Sequence, residues 1–321
     1  MCAVAEGARV CADENTASAA AAAFAAALRD APCRLCGLGG REGMPRSLGS
    51  VYACAVTLFL GSAFRGVERR CLHRGAYGGV AVRRDGTVLL TSYMNRVDHV
   101  RVSDGRLLGS VGGHGRGALQ FRVPCQIAVA PDDDYVFIAE FGNNRVQVLT
   151  PKLTFCGFLG VNVLLTPMGV CVGDGVVAVS QRRHHRVSVF RRADWALVRH
   201  IGRFGSGKGA LCQPAGLAFL AAGQQRQLLA VADAGNHRVS VCTAAGRFVR
   251  HIGAGRFTRP QSVACSAHNE LVVSDDYGVS VWSVDGDMLK AFGRGACAAL
   301  AVASACVFAC EWPQFTVTVY A

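Results

Sequence analysis

Gly216-Leu217-Ala218-Phe219 and, after a second apolar strand, Arg238-Val239-Ser240-Val241 bracket one unit of a pattern that runs six times between Gly79 and Val302. Each unit reads as a short apolar strand, a turn, a second apolar strand, a polar loop and a Val-x-Val strand. The other first strands are Gly79-Val80-Ala81-Val82, Gln126-Ile127-Ala128-Val129, Gly169-Val170-Cys171-Val172, Ser262-Val263-Ala264-Cys265 and Ala299-Leu300-Ala301-Val302. Their central residues, 80, 127, 170, 217, 263 and 300, are spaced by 47, 43, 47, 46 and 37. Several β segments in a period near the forties mark propeller blades, because one small sheet buries its faces only when neighbours stack on it.

The third strands are equally regular: Arg96-Val97, Arg145-Val146-Gln147-Val148, Arg186-Val187-Ser188-Val189, Arg238-Val239-Ser240-Val241, Val279-Ser280-Val281 and Val317-Thr318-Val319. Their alternation predicts one buried face and one wetter face. The predicted fold is an all-β, six-bladed β-propeller of four-stranded blades. The last unit reaches only its third strand, so an N-terminal strand, Val56 to Phe64, is expected to complete it and to remove an open edge. That stretch is similar to the fourth strand Leu107-Leu108-Gly109-Ser110-Val111-Gly112.

Composition agrees with one long domain: 321 residues, 51% hydrophobic, 38 Gly and 17% charged suffice for a single all-β core. The domain division is 1–50, an Ala-rich segment read as a short helix or as disorder, and 51–321, the propeller. Glu6, Asp13 and Glu14 stand where a secretory leader needs a basic start, and Val51 to Phe64 is too short for a membrane span. Most of the 15 Cys, among them Cys171, Cys242, Cys265 and Cys306, sit where Ala or Val would fit. They read as small buried hydrophobes in a reducing compartment, and a cytoplasmic location is expected.

Glu140-Phe141-Gly142-Asn143-Asn144-Arg145-Val146-Gln147-Val148 and Asp233-Ala234-Gly235-Asn236-His237-Arg238-Val239-Ser240-Val241 resemble the acid-x-x-Asn-x-Arg-Val-x-Val core of NHL repeats. The Gly-rich connectors Gly112 to Phe121, before Pro124, and Gly202 to Leu211, before Pro214, are similar to the inter-blade loop of that family. The resemblance covers roughly residues 56 to 321 and is specific in units two and four. Elsewhere Thr91 or Ser92 and Gln181 stand at the acid position, and the loops at Asp275 and Glu311 lack the Arg. Many NHL-repeat proteins resemble ubiquitin ligases with a RING finger. The RING ligand series is absent here, and Cys33-Arg34-Leu35-Cys36 is a lone Cys pair, short of the four ligands of a structural zinc site.

Six-bladed hydrolases and lyases place metal ligands at the start of each inner strand. Those positions here are Gly79, Gln126, Gly169, Gly216, Ser262 and Ala299, without an acid or a histidine, so no cofactor and no metal are expected. His184, His185 and His237 fall in loops where turn-forming roles are favoured over ligation. Gly205-Ser206-Gly207-Lys208-Gly209 lacks the spacing and the Ser or Thr of a phosphate loop. The acid and Arg of units two and four read most simply as loop-shaping ion pairs.

Charge is the informative residue of the function. In antiparallel blades the second-to-third and fourth-to-first loops open on one face and the other loops on the opposite face. Counted this way, seventeen Arg and Lys oppose six acids on the first face, against nine and ten on the other. Nearly all of the net charge of +12 thus lies on one side, rich in Arg and suited to carboxylate or phosphate partners. The candidate binding face comprises Arg96, Arg145, Arg182, Arg183, Arg186, Arg203, Lys208, Arg238, Arg256 and Arg259, with Tyr93, Phe141, Tyr277 and Trp312. Phe204 belongs to the same loops. The leading expectation is a monomeric, non-enzymatic scaffold whose basic face and shallow central mouth bind an acidic protein or peptide, with no membrane partner. Single-stranded RNA on the same face, the aromatics stacking on bases, is the first alternative. A substrate-recognition part of a ubiquitin ligase system and a metal-dependent lyase or lactonase are the others.

Overall fold

Alternating β-branched and small residues form the first strands of the repeat, and the computed structural model folds five units into regular four-stranded antiparallel sheets. It describes residues 54–58, 68–74, 77–220, 227–292, 296–303, 306–312 and 316–320; the expected division at residue 50 lies outside them. The first blade comprises Tyr77–Val82, Thr87–Ser92, Arg96–Arg101 and Leu107–Val111. The second comprises Pro124–Val129, Val136–Glu140, Arg145–Leu149 and Phe155–Leu159. Pro167–Gly173, Val176–Gln181, Arg186–Arg191 and Leu197–Ile201 form the third. Pro214–Leu220, Leu228–Asp233, Arg238–Thr243 and Phe248–Ile252 form the fourth. The fifth comprises Ser262–Cys265, Leu271–Ser274, Val279–Trp282 and Met288–Phe292.

Where a sixth four-stranded blade is expected, the structure has a five-stranded sheet that joins both ends of the chain. Its order is Glu68–Arg74, Thr316–Tyr320, Cys54–Leu58, Cys306–Trp312, Ala296–Ala303. The outer place belongs to Glu68–Arg74, antiparallel to Thr316–Tyr320, and not to Val56 and its successors. The reason lies in composition. Outer strands such as Leu197–Ile201 are largely exposed, a setting that suits Glu68-Arg69-Arg70, whereas the apolar Cys54-Ala55-Val56-Thr57-Leu58 fits an interior place.

The core is a ring of wedges between neighbouring sheets. Leu89 and Val97 of the first blade cluster with Ile127 and Ile138 of the second, and Phe137 and Val146 of the second with Val177 and Phe190 of the third. Ala299 and Phe308 of the five-stranded sheet pack with Val80 and Leu90 of the first blade, and Cys297 and Leu300 with Val272 and Val281 of the fifth. This stacking overturns the expected wetter face of the third strands: Asp98, Gln147 and Ser188 are fully buried, because both faces of a blade are covered. No described helix is long and apolar enough to cross a membrane. Among the described cysteines Cys125, Cys171, Cys242 and Cys297 are buried thiols, whereas Cys310 is disulfide-bonded, so the reading of the cysteines as thiols does not extend to it.

Candidate functional site

The basic face is built on one repeated turn. The residue before the third strand is left-handed in four blades: Asn95 (φ 60°), Asn144 (55°), His185 (52°) and His237 (55°). Asn tolerates that region better than most residues. Each side chain then accepts a backbone N–H from the next connector. Asn95 Oδ1 takes Val123 N at 3.0 Å, and Asn144 Oδ1 takes Thr166 N at 2.8 Å. His185 Nδ1 takes Gln213 N at 3.0 Å, and His237 Nδ1 takes Arg259 N at 3.2 Å. The two histidines are turn-formers, with the ring proton assigned to Nε2 by these bonds.

The arginine that follows is clamped. Arg145 Nε donates to Glu140 at 2.7 Å, and its guanidinium also faces the carbonyls of Gly117 and Gln120 at 3.4 Å. Arg238 Nε donates to Asp233 at 2.9 Å and reaches the carbonyls of Ser206 at 2.7 Å and Ala210 at 3.2 Å. Both arginines are 7–8% exposed, so these two candidates are withdrawn from the binding face: their donors tie each loop to its Gly-rich connector. In the first blade the acid has moved. Ser92 faces Arg96 across the ladder, but the carboxylate comes from Asp98, 2.8 Å away and fully buried, which also accepts from Tyr77 and Ser110. Sequence comparison at the acid position alone missed it; the signal was the charged residue two places after the Arg.

The remaining candidates point outward. Arg183, Arg203, Lys208, Arg256 and Arg259 are exposed, and Arg182 and Arg186 are half-buried. Arg259 lies 3.9 Å from Asp276, whose carboxyl is raised by burial despite that neighbour. Arg182 donates to Gln213 at 3.3 Å. Of the aromatics, Tyr277 is 73% exposed and Phe141 is half-buried. Phe204, 71% exposed, packs at a tilt of 58° against His185 with centroids 4.7 Å apart. Trp312 lies in a strand, its side chain outside the described residues. On the opposite face four arginines are neutralised in place, Arg192 by Asp132 and Asp133, Arg191 by Asp194, Arg101 by Asp104 and Arg84 by Asp134, while Arg106 and Arg247 are exposed.

The six inner-strand positions converge, but on a plug. Gln126 Nε2 crosses the channel to donate to Ser262 Oγ at 3.0 Å, and Ser262 Oγ also accepts Leu300 N at 3.0 Å. Tyr93, Met168 and Gln261 close in beside Gln126 around a space of only about 20 Å³. The shallow mouth expected on the basic face is therefore shut, because Gln126 fills the space left by Gly169 and Gly216, and Tyr93 belongs to the plug. The channel opens instead on the opposite face, as a cavity of about 610 Å³ walled by Val82, Val129, Val172, Phe219 and Val302. Among the described residues no three His, Cys, Asp or Glu side chains gather in metal-binding geometry.

No family model matches the chain, and no curated protein matches it. Solved structures do. A gluconolactonase from Xanthomonas campestris aligns with TM-score 0.63 at 16% identity, covering 87% of this chain and 98% of that one. A chain of the nidogen/laminin complex aligns at 0.59 and 16%, covering 78% and 97%. Virginiamycin B lyase from Staphylococcus aureus aligns at 0.55 and 16%, covering 78% and 82%. At such identities the likeness is one of fold: an all-β propeller with four-stranded antiparallel blades.

Proposed function

We propose that this chain is an NHL-type propeller acting as a monomeric, non-enzymatic interaction scaffold in the cytoplasm, and that its basic loop face binds an acidic protein or peptide. The five-stranded sheet serves as its sixth blade, packed between the fifth and the first. One observation carries the reading. On this face Arg116, Arg122, Arg183, Arg203, Lys208 and Arg256 are exposed, and among the described residues none makes an ion pair, whereas Arg84, Arg101, Arg191 and Arg192 of the other face are paired. Uncompensated charge of one sign steers an oppositely charged partner. The plugged channel mouth supports a partner held on the surface of this face.

The exposed rings of Phe204 and Tyr277 favour single-stranded RNA as the second reading. Fluorescence polarisation of the full chain with labelled acidic peptides and with a pool of short single-stranded RNAs, at low and near-physiological salt, separates them. Saturable peptide binding at physiological salt, lost in the Arg182→Glu, Arg183→Glu, Arg186→Glu variant, is the expected result. RNA binding that survives that salt and is lost in the same variant, with the peptides unbound, would replace the first reading by the second.

A further inference from the structure

The third blade carries an arginine without an acid. Arg96, Arg145 and Arg238 each have a buried carboxylate, from Asp98, Glu140 and Asp233. Arg186 sits at the same ladder position, opposite Gln181, and two residues on stands Ser188. Gln181 donates to Ser188 Oγ at 2.6 Å and accepts Leu165 N at 2.8 Å, so a neutral pair fills the place of the acid. Among the described residues Arg186 makes no ion pair. Its one hydrogen-bond neighbour is His184 Nδ1 at 3.3 Å, and its Nε is buried without a partner. The nearby His184 and His200 are both held below the ordinary histidine value, by burial first and then by Arg186.

The connector in front of this blade is also short. Connectors 112–123 and 202–213 supply the carbonyls that cover Arg145 and Arg238. The corresponding stretch before the third blade is only 160–166. Where the longer loops lie in the second and fourth blades, a cavity of about 410 Å³ opens, lined by Arg116, Asn143, Asn144, Arg145 and His184; Arg186 stands next to this lining, its guanidinium 3.3 Å from His184 Nδ1. Among the described residues the cavity lining holds no carboxylate, and Glu140 lies buried under Arg145.

We propose that this cleft between the second and third blades takes a glutamate or aspartate side chain of an acidic partner, which gives Arg186 in trans the ion pair that its own blade lacks. The inference rests on the reading that the basic face receives an acidic partner, and it names the anchor point. A carboxylate is favoured because three blades of this fold already hold one against the equivalent arginine, and an arginine fork binds carboxylate through paired donors.

The test is titration of a fluorescein-labelled dodecaglutamate peptide into the full chain and three variants. Gln181→Glu rewrites the third blade in the pattern of the second, neutralising Arg186 without removing it. Arg186→Gln removes the charge, and Arg106→Gln removes an exposed charge on the opposite face. Gln181→Glu and Arg186→Gln are expected to weaken binding by about tenfold or more, with Gln181→Glu melting no lower than wild type and Arg106→Gln binding nearly as wild type. Equal binding by wild type and Gln181→Glu would overturn the anchor and leave the basic face standing. Absence of peptide binding by the wild type at low salt would overturn both.

Discussion

Gln126 of the second blade donates a 3.0 Å hydrogen bond to Ser262 of the fifth, joining sheets 136 residues apart in sequence across the centre of the molecule. The bond exists because small neighbours leave room. A Cβ added at Gly216 would stand 2.8 Å from Gln126 Nε2 and 2.6 Å from Ser262 Cα, and one at Gly169 would stand 2.3 Å from the carbonyl of Ala215. The glycines recurring at the start of inner strands are thus a packing requirement at the axis.

Gly216→Ala is therefore expected to destabilise the protein by about 1–3 kcal/mol through overpacking against backbone that has little freedom to retreat. Thermal melts of Gly216→Ala and of Gly175→Ala compare a crowded position with one whose Cβ would meet nothing within 4 Å. Gly175 has φ +66°, so its cost is backbone strain of about 1 kcal/mol. Equal stability of Gly216→Ala and wild type would mean that the axis is loosely packed.

The clamps of the second and fourth blades give a sharper expectation. Glu140 and Asp233 are fully buried, and each neutralises an arginine that is itself buried. Removing the acid leaves that charge uncompensated, at a cost of about 3–5 kcal/mol. Glu140→Ala and Asp233→Ala should show this loss in urea unfolding, whereas Ser92→Ala, at the same ladder position of the first blade, should lose far less because Asp98 still holds Arg96. A Ser92→Ala loss as large as that of Asp233→Ala would refute the transposed pairing.

The blades were legible because their cause is local and repeated: apolar alternation with a period, and turn residues between. The ion pairs of units two and four were legible for the same reason, since acid and arginine lie five residues apart on facing strands. Asp98 was missed because it reaches Arg96 from the same strand, a route that the repeat consensus does not describe. The burial of Arg145 and Arg238 depends on where the Gly-rich connectors fold, which spacing alone does not fix. The channel plug escaped notice because Gln126 was weighed as a metal ligand, while what decides its role is that Gly169 and Gly216 vacate the space it fills. An N-terminal strand beside the last unit was expected, but the choice of Glu68–Arg74 for the outer place escaped, because no local signal orders strands so far apart.

The left-handed position before the third strand offers a test of turn chemistry. His185 does in the third blade what Asn144 does in the second, with the same sign of φ and the same bond to a connector N–H. His185→Asn should preserve stability to within about 0.5 kcal/mol. His185→Val should lose about 2 kcal/mol or more, since a β-branched residue resists positive φ and leaves Gln213 N without its acceptor. Urea midpoints of the two variants check this; equal losses would show that the side chain at this position does not shape the turn.

Acid sensitivity follows from histidines set against arginines. His200 and His251 are both lowered by burial first, then by Arg186 and by Arg238 respectively; His200 bonds Ser188 Oγ at 2.9 Å, and His251 packs edge-on against Phe248. A histidine lowered in the folded state binds its proton more weakly there than in the unfolded chain. Its contribution is therefore intact above the unfolded value of about 6.5 and erodes as pH falls through and below it. Urea midpoints of the wild type should be lower at pH 5.0 than at pH 7.5. The combined His200→Gln, His251→Gln variant keeps a polar group at each site and removes the proton site, so the gap between its two midpoints should shrink. A wild-type midpoint that rises on acidification would mean that a carboxyl raised on folding, Asp276, and not these histidines, governs the response, and an unchanged gap in the variant would assign the acid sensitivity to His99 and His184, which are lowered in the same direction.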